Sequence, residues 1–244
     1  MNTPLPPAYI GVWRRTRIAR RNGATDTTTA VWWFQSPRFH IDLRIPANRP
    51  QIASAAALAQ LPAAAFATFA AQSGFAGTTL VEDDCCEWRP EIAFPALSTD
   101  VDAGVMHFTG MDHVHERGLD DSYEEDWERI ARAPCTGVRL KAVGTADRVA
   151  YLVLGANWMA LAHGSKGAAF PARDASGQAA WSEFCVASRE RDGDWRIVAS
   201  NNPWREGARL HIPARLRDGQ IMRLDGCGDF DWRVSDLAPS SISI

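Results

Sequence analysis

At 244 residues, 46% of them hydrophobic, the chain is large enough to bury a core of its own and has the composition of an ordinary globular protein. A formal charge of −3 with no long basic run argues against a nucleic-acid partner, and no window approaches eighteen uninterrupted apolar residues, which argues against a membrane span. The start, "MNTPLPPAYIGVW", lacks a basic segment followed by an apolar one, so the expected location is the cytoplasm.

After the proline-rich lead, "GVWRRTRIARR" reads as a first strand. Its Arg14, Arg15, Arg17, Arg20 and Arg21 fall on both faces and are expected to be solvated edge and turn charge. "RFHIDLRI" at 38–45 alternates, with Phe39, Ile41, Leu43 and Ile45 on one face and His40, Asp42 and Arg44 on the other. One main helix is expected at 51–73, where Ile52, Leu58, Leu61, Phe66 and Phe69 recur near helical spacing and Pro62 splits or kinks the run. From "TTLVED" to "DFDWRVS" the rest reads as short strands parted by Gly, Asp, Asn or Pro. The pattern is that of an all-β sandwich or barrel. Five cysteines, Cys85, Cys86, Cys135, Cys185 and Cys227, include no C-x-x-C pair and are expected to be reduced thiols.

A faint internal repeat runs through these strands. "GVWRR" is echoed by "EDWER", "AVWWFQSPRFHIDLR" by "VAYLVLGANWMALAH", "LVEDDCCEWRPEI" by "SRERDGDWRIV", and "GVMHFTGMDHVHER" by "QIMRLDGCGDFDWRV", at offsets of 107 to 119 residues. It suggests two related units, 1–130 with a helical insertion and 131–244, with one enlarged barrel as the alternative.

Gly11-Val12-Trp13 on the first strand resembles the G-x-W signature of lipocalins and other calycin barrels. That resemblance implies antiparallel barrels, with an arginine of the last strand stacked on the tryptophan; Arg129 in "SYEEDWERI" is the position it nominates. The whole chain, with "IDLRIP" and "ASNNPWREG", is also similar to bacterial sequences akin to the fungal proteins named for binding the Hrr kinase, which are built from two lipocalin-like barrels. This likeness supports architecture and brings neither an active residue nor a kinase partner.

Two constellations are candidates for chemistry. His113 and His115 in "MHFTGMDHVHERG" share an H-x-H spacing, so on a strand both imidazoles face the same way. No third ligand follows at a suitable offset and Glu116 points to the opposite face, so neither a metal nor any other cofactor is expected. Tyr123, Glu125, Trp127 and Arg129 alternate onto one face of one strand, where a phenol, a carboxylate, an indole and a guanidinium would orient an aromatic or carboxylate ligand. With Trp13, Arg44, His113 and His115 they make up the expected binding residues, and Glu125, Tyr123 and His115 are candidates for proton transfer. No nucleophile elbow or phosphate-cradling loop is present.

The leading expectation is therefore a barrel that holds one small, partly apolar or aromatic ligand. A calycin-type lyase or isomerase using a buried Glu, Tyr or His, and a scaffold with filled barrels, are the alternatives. A homodimer is left open, and neither nucleic acid nor membrane is an expected partner.

Overall fold

The computed structural model describes residues 5–132, 134–168, 181–213, 215–238 and 241–243. Strands β1 (Gly11–Arg20), β2 (Thr25–Asp26), β3 (Ala30–Gln35), β4 (Phe39–Ile45), β5 (Ser73–Glu82), β6 (Cys85–Phe94), β7 (Asp102–Phe108), β8 (His113–Gly118) and β9 (Tyr123–Arg132) form one antiparallel sheet. β1 pairs with β9 as well as with β3, from Gly11↔Arg132 to Arg20↔Tyr123. Eight strands thereby close into a barrel, and β2 pairs with the far end of β1.

The alternation on β4 shows which way the barrel is turned. Phe39, Ile41, Leu43 and Ile45 point outward into a core shared with a second sheet, whereas His40, Asp42 and Arg44 point into the lumen. The second sheet comprises β10 (Cys135–Ala142), β11 (Arg148–Gly155), β12 (Trp158–Ser165), β13 (Glu183–Arg189), β14 (Trp195–Ser200) and β15 (Arg209–Leu210), with β17 (Ile221–Met222) and β18 (Trp232–Ala238) on the other side of β10. β16 (Arg215–Arg217) and β19 (Ser241–Ser243) pair with each other instead. The outermost strands of the large sheet, β15 and β17, do not pair, so it curls into a half-barrel.

The half-barrel packs on the barrel with one face and wraps its own core with the other. Val149, Tyr151 and Val153 of β11 join the shared core, while Ala150 and Leu152 join Leu140, Met159, Leu161, Ile197 and Trp232. A strand buried on both faces reads as a continuous apolar run, as "VAYLVL" does. Ionic contacts reinforce the junction. Glu91 of β6 receives Arg139 Nη2 at 2.6 Å and Nε at 2.7 Å, Lys166 Nζ at 2.5 Å and the Tyr151 hydroxyl. Burial opposes the charge, but these donors hold the Glu91 carboxyl down at about 2.

The expected helix is much shorter than 51–73. A 3₁₀ turn covers Ala55–Gln60, and α1 covers only Ala63–Ala70, with Pro62 as its N-cap. Proline lacks the amide proton that a helix interior needs, so it ends one segment and begins the next. Ser73 already belongs to β5.

One pairing in the repeat also shifts. "EDWER" lies in β9, the strand that closes the barrel, whereas the strand placed like β1 is β10, which pairs with the next long strand, β11, and with the last strand of its own sheet, β18. The hairpin match of β3–β4 with β11–β12 does occupy the same place in each sheet.

Candidate functional site: the polar mouth of the barrel

β1 runs from Trp13 at one end of the lumen to Ile18 and Arg20 at the other, and the two ends differ in chemistry. At the first end, Trp13 and Trp33 stack with ring centroids 5.7 Å apart, and Trp33 meets Trp88 and Trp127 edge-on at 5.6 and 5.8 Å. Together with Val31, Met106 and Val114 these rings form a packed floor. The Trp13 Nε1–H donates to the Tyr9 carbonyl at 2.9 Å. Arg129 lies over the Trp13 ring, 4.3 Å from its centroid, and donates to the Ala8 carbonyl. A Cβ at Gly11 would stand 2.8 Å from the Ala131 carbonyl oxygen and 3.0 Å from Arg129 Cδ. The glycine of G-x-W therefore lets the arginine strand cross close to β1.

The other end opens into a pocket of about 300 Å³ lined by Ile18, Arg20, Arg44, Asp102, Ser122, Tyr123 and Glu125. Two ion pairs brace it. Arg15 Nη1 is 2.6 Å from Glu125 Oε1, with both side chains buried, and Arg44 Nε is 2.8 Å from Asp42 Oδ1. Other charges are left over: among the described residues the Asp102 carboxyl has no hydrogen bond or ion pair, and neither do the Arg20 guanidinium nor the outer nitrogens of Arg44. Burial raises the Asp102 carboxyl above its ordinary range even though Arg44 pulls it down.

Behind the pocket sits Glu116 of β8, only 2% exposed. Its Oε1 accepts from the Tyr123 hydroxyl at 2.7 Å and its Oε2 from the Trp127 indole N–H at 3.0 Å. Burial, and next the charge of Glu125, push the Glu116 carboxyl up to about 8, outweighing the Tyr123 bond and the charge of Arg44. Asp42 is likewise raised by burial to about 6, with Arg44 opposing. A protonated Glu116 gains an O–H that can donate to the Tyr123 oxygen and so free the hydroxyl proton to turn toward the pocket; an ionised one only accepts and draws that proton back. The pair is a phenol whose donor direction depends on the carboxyl behind it.

The residues expected from sequence divide accordingly. Arg44, Tyr123 and Glu125 line the pocket, and Trp127 stands one layer below, bonded to Glu116. Trp13 and Arg129 belong to the floor and seal it, away from the mouth. His113 and His115 share a face of β8, but it is the outer one: His113 is exposed, and His115 Nδ1 is 2.8 Å from Asp126 Oδ1. They do not reach the pocket, so the expectation that they bind ligand or move a proton there is corrected. Arg15 is corrected in the opposite sense, from solvated charge to a buried partner of Glu125. Glu116, Asp102 and Asp42 were not among the expected residues. The signal for Glu116 was present, since the alternation that sends His113 and His115 outward sends it inward. Among the described residues no group of three or more His, Cys, Asp or Glu is arranged to hold a metal ion.

No protein-family model matches the chain, and no curated protein matches it. Among solved structures it is similar to an uncharacterized protein of Saccharomyces cerevisiae, YLR301w, with a TM-score of 0.58 and 12% identity over 93% of this chain and 98% of that one. The likeness is one of fold, and it spans barrel and half-barrel together. No helix among the described residues is long and apolar enough to cross a membrane.

Proposed function

We propose that the chain is a lipocalin-like binding protein whose first barrel takes up one small zwitterion of amino-acid type with an apolar flank. The observation that carries this reading is unsatisfied charge of both signs around one pocket. Arg20 and the free nitrogens of Arg44 suit a carboxylate, Asp102 suits an ammonium group, and Ile18 with the Tyr123 ring suits an apolar side chain. A pocket of about 300 Å³ above a solid tryptophan floor favours a molecule of that size over a long apolar chain. The division into units 1–130 and 131–244 belongs to the same reading, supported by the change of sheet after Arg132 and the matching roles of β1 and β10. A cytoplasmic location fits the five free thiols.

Titration calorimetry, with tryptophan fluorescence as a second readout, tests the proposal on leucine, methionine and tyrosine against their N-acetyl and amide derivatives. The free amino acids should bind, the blocked forms should lose at least about tenfold in affinity, and Asp102→Asn should cost a similar factor. Equal binding of free and blocked forms, or no binding of either, overturns it.

A second reading follows from Glu116 and Tyr123. A carboxyl that holds its proton at neutral pH, bonded to a phenol at the pocket wall, is placed to exchange a proton with the bound molecule, which would make the barrel a lyase or isomerase.

A further inference from the structure

The half-barrel carries a group of reactive side chains independent of the mouth pocket. His163 of β12 and Glu183 of β13 are cross-strand partners, and Glu183 Oε2 lies 3.6 Å from His163 Nε2. The His163 side chain is only 10% exposed, and its Nδ1 makes no hydrogen bond. Cys227, fully buried, lies close enough for its sulfur to act on the imidazole. With Cys185, Arg205 and Ser200 these residues line a cavity of about 10 Å³, whose partly exposed walls are Glu183 and Arg205. Gly226 adopts φ +73°, and a Cβ there would fall 1.8 Å from Arg205 Nη1, so a glycine is what lets that cation lie over the residue preceding the thiol.

A thiol beside an imidazole that a carboxylate orients has the form of an activated nucleophile. The charges agree. Burial disfavours imidazolium, yet Cys227 and Glu183 raise His163 to about 10, and Glu183 itself is held low, against burial, by His163, Arg205 and Asn202. The size of the cavity then selects the partner. About 10 Å³ holds roughly one water, which leaves no room for an acyl or glycosyl substrate. Hydrogen peroxide, one oxygen larger than water, is the oxidant closest to that size, and the partly exposed Arg205 is the wall on its way in.

We propose that Cys227 is a peroxide-reactive thiol, with His163 as its proton partner, Glu183 orienting the ring and Arg205 over the entrance. The Cys227 thiolate attacks one oxygen of hydrogen peroxide; the S–O bond forms as the O–O bond breaks. The departing hydroxide takes the proton of His163 and leaves as water. Sulfur loses two electrons, the peroxide gains them, and Cys227 becomes a sulfenic acid. Cys185 lines the same cavity, and its thiol displaces the sulfenic hydroxyl as water to give a disulfide. Burial raises the Cys185 thiol to about 12, so this second step is slow and the sulfenic acid persists long enough to be trapped.

The test treats the folded chain with hydrogen peroxide for timed intervals, then unfolds it in guanidinium chloride containing dimedone so that the trap reaches buried sulfenic acids, and maps adducts by peptide mass spectrometry, with iodoacetamide on the folded chain as a bulky control. The expected adduct is on Cys227, while iodoacetamide labels Cys85, the one partly exposed cysteine, in preference. His163→Gln should slow the build-up of the Cys227 adduct with peroxide exposure about tenfold and flatten its pH dependence, with unchanged circular dichroism. Glu183→Gln should do the same more weakly and serves if His163→Gln does not fold. Peroxide and iodoacetamide both labelling Cys85 first, Cys227 left unmodified, or a Cys227 rate indifferent to both variants overturns the proposal.

Discussion

β4 of the barrel sends His40, Asp42 and Arg44 into the lumen and its apolar residues outward, whereas β11 of the half-barrel is apolar on both faces. The difference follows from closure. A closed barrel pairs all its edges and encloses a space, so one end can be packed with tryptophan and the other can hold ion pairs shielded from bulk water. An open, curled sheet has no lumen to close. It covers one face with the barrel and fills the other with Leu140, Met159, Leu161, Ile197 and Trp232, beside which Cys227 lines a small cavity. Closure is what brings room for a ligand and surplus charge together at the barrel mouth.

Three substitutions would sharpen or break this contrast. The largest expected effect is at the barrel floor, where Trp33→Ala removes the ring that contacts Trp13, Trp88 and Trp127. It should cost about 4 kcal/mol in chemical denaturation. A loss under about 1 kcal/mol would mean that the floor is not a packed core of its own.

The next concerns the junction. Glu91 is held at about 2 in the fold, below the ordinary carboxylate value, so its contribution is present above the unfolded pKa and is lost as pH falls from about 4.5 through 2. Glu91→Gln should destabilise by roughly 3 kcal/mol at pH 7 and by little near pH 2. Denaturation midpoints across that range check it, and a pH-independent deficit would show that packing rather than charge joins the two sheets.

The smallest expected effect is at the mouth, and it has the opposite sign. Glu116 titrates near 8 in the fold and near 4.5 when unfolded, so the native state holds a proton that the unfolded chain releases between those values. Stability is fully present below about 4.5 and falls as pH rises toward 8. Glu116→Gln can accept the Trp127 N–H on its amide oxygen and donate its amide N–H to the Tyr123 oxygen, so it should flatten that fall and gain about 1–2 kcal/mol over the wild type at pH 8.5. A variant that is less stable at every pH would mean the mouth needs the carboxyl as a structural acceptor.

Much of this architecture was legible from local pattern. The alternation of "FHIDLRI", the turn residues between strands and the G-x-W of Gly11 to Trp13 foreshadow an all-β chain, and Arg129 over Trp13 is the stack that the calycin resemblance implies. The faces of β8 and β9 were also readable, because a two-residue period needs no tertiary information. Arg15 was not: the four arginines of β1 look alike until a partner is known, and Glu125 lies 110 residues away. His163, Glu183 and Cys227 are similarly dispersed, on two strands and a loop.

Local sequence determined the strands, their alternation and the break at Pro62, since these depend on side-chain period and on the backbone chemistry of single residues. Which face became the inside was decided only by closure. The pairing of β1 with β9 bends the polar face of β4 around a common axis, and packing of the half-barrel buries the apolar face instead. A face has no inside until the sheet curls and something covers its other side. For that reason the gathering of Arg44, Asp102, Glu116 and Tyr123 at one mouth, and the raised affinity of Glu116 for its proton, belong to the tertiary structure alone.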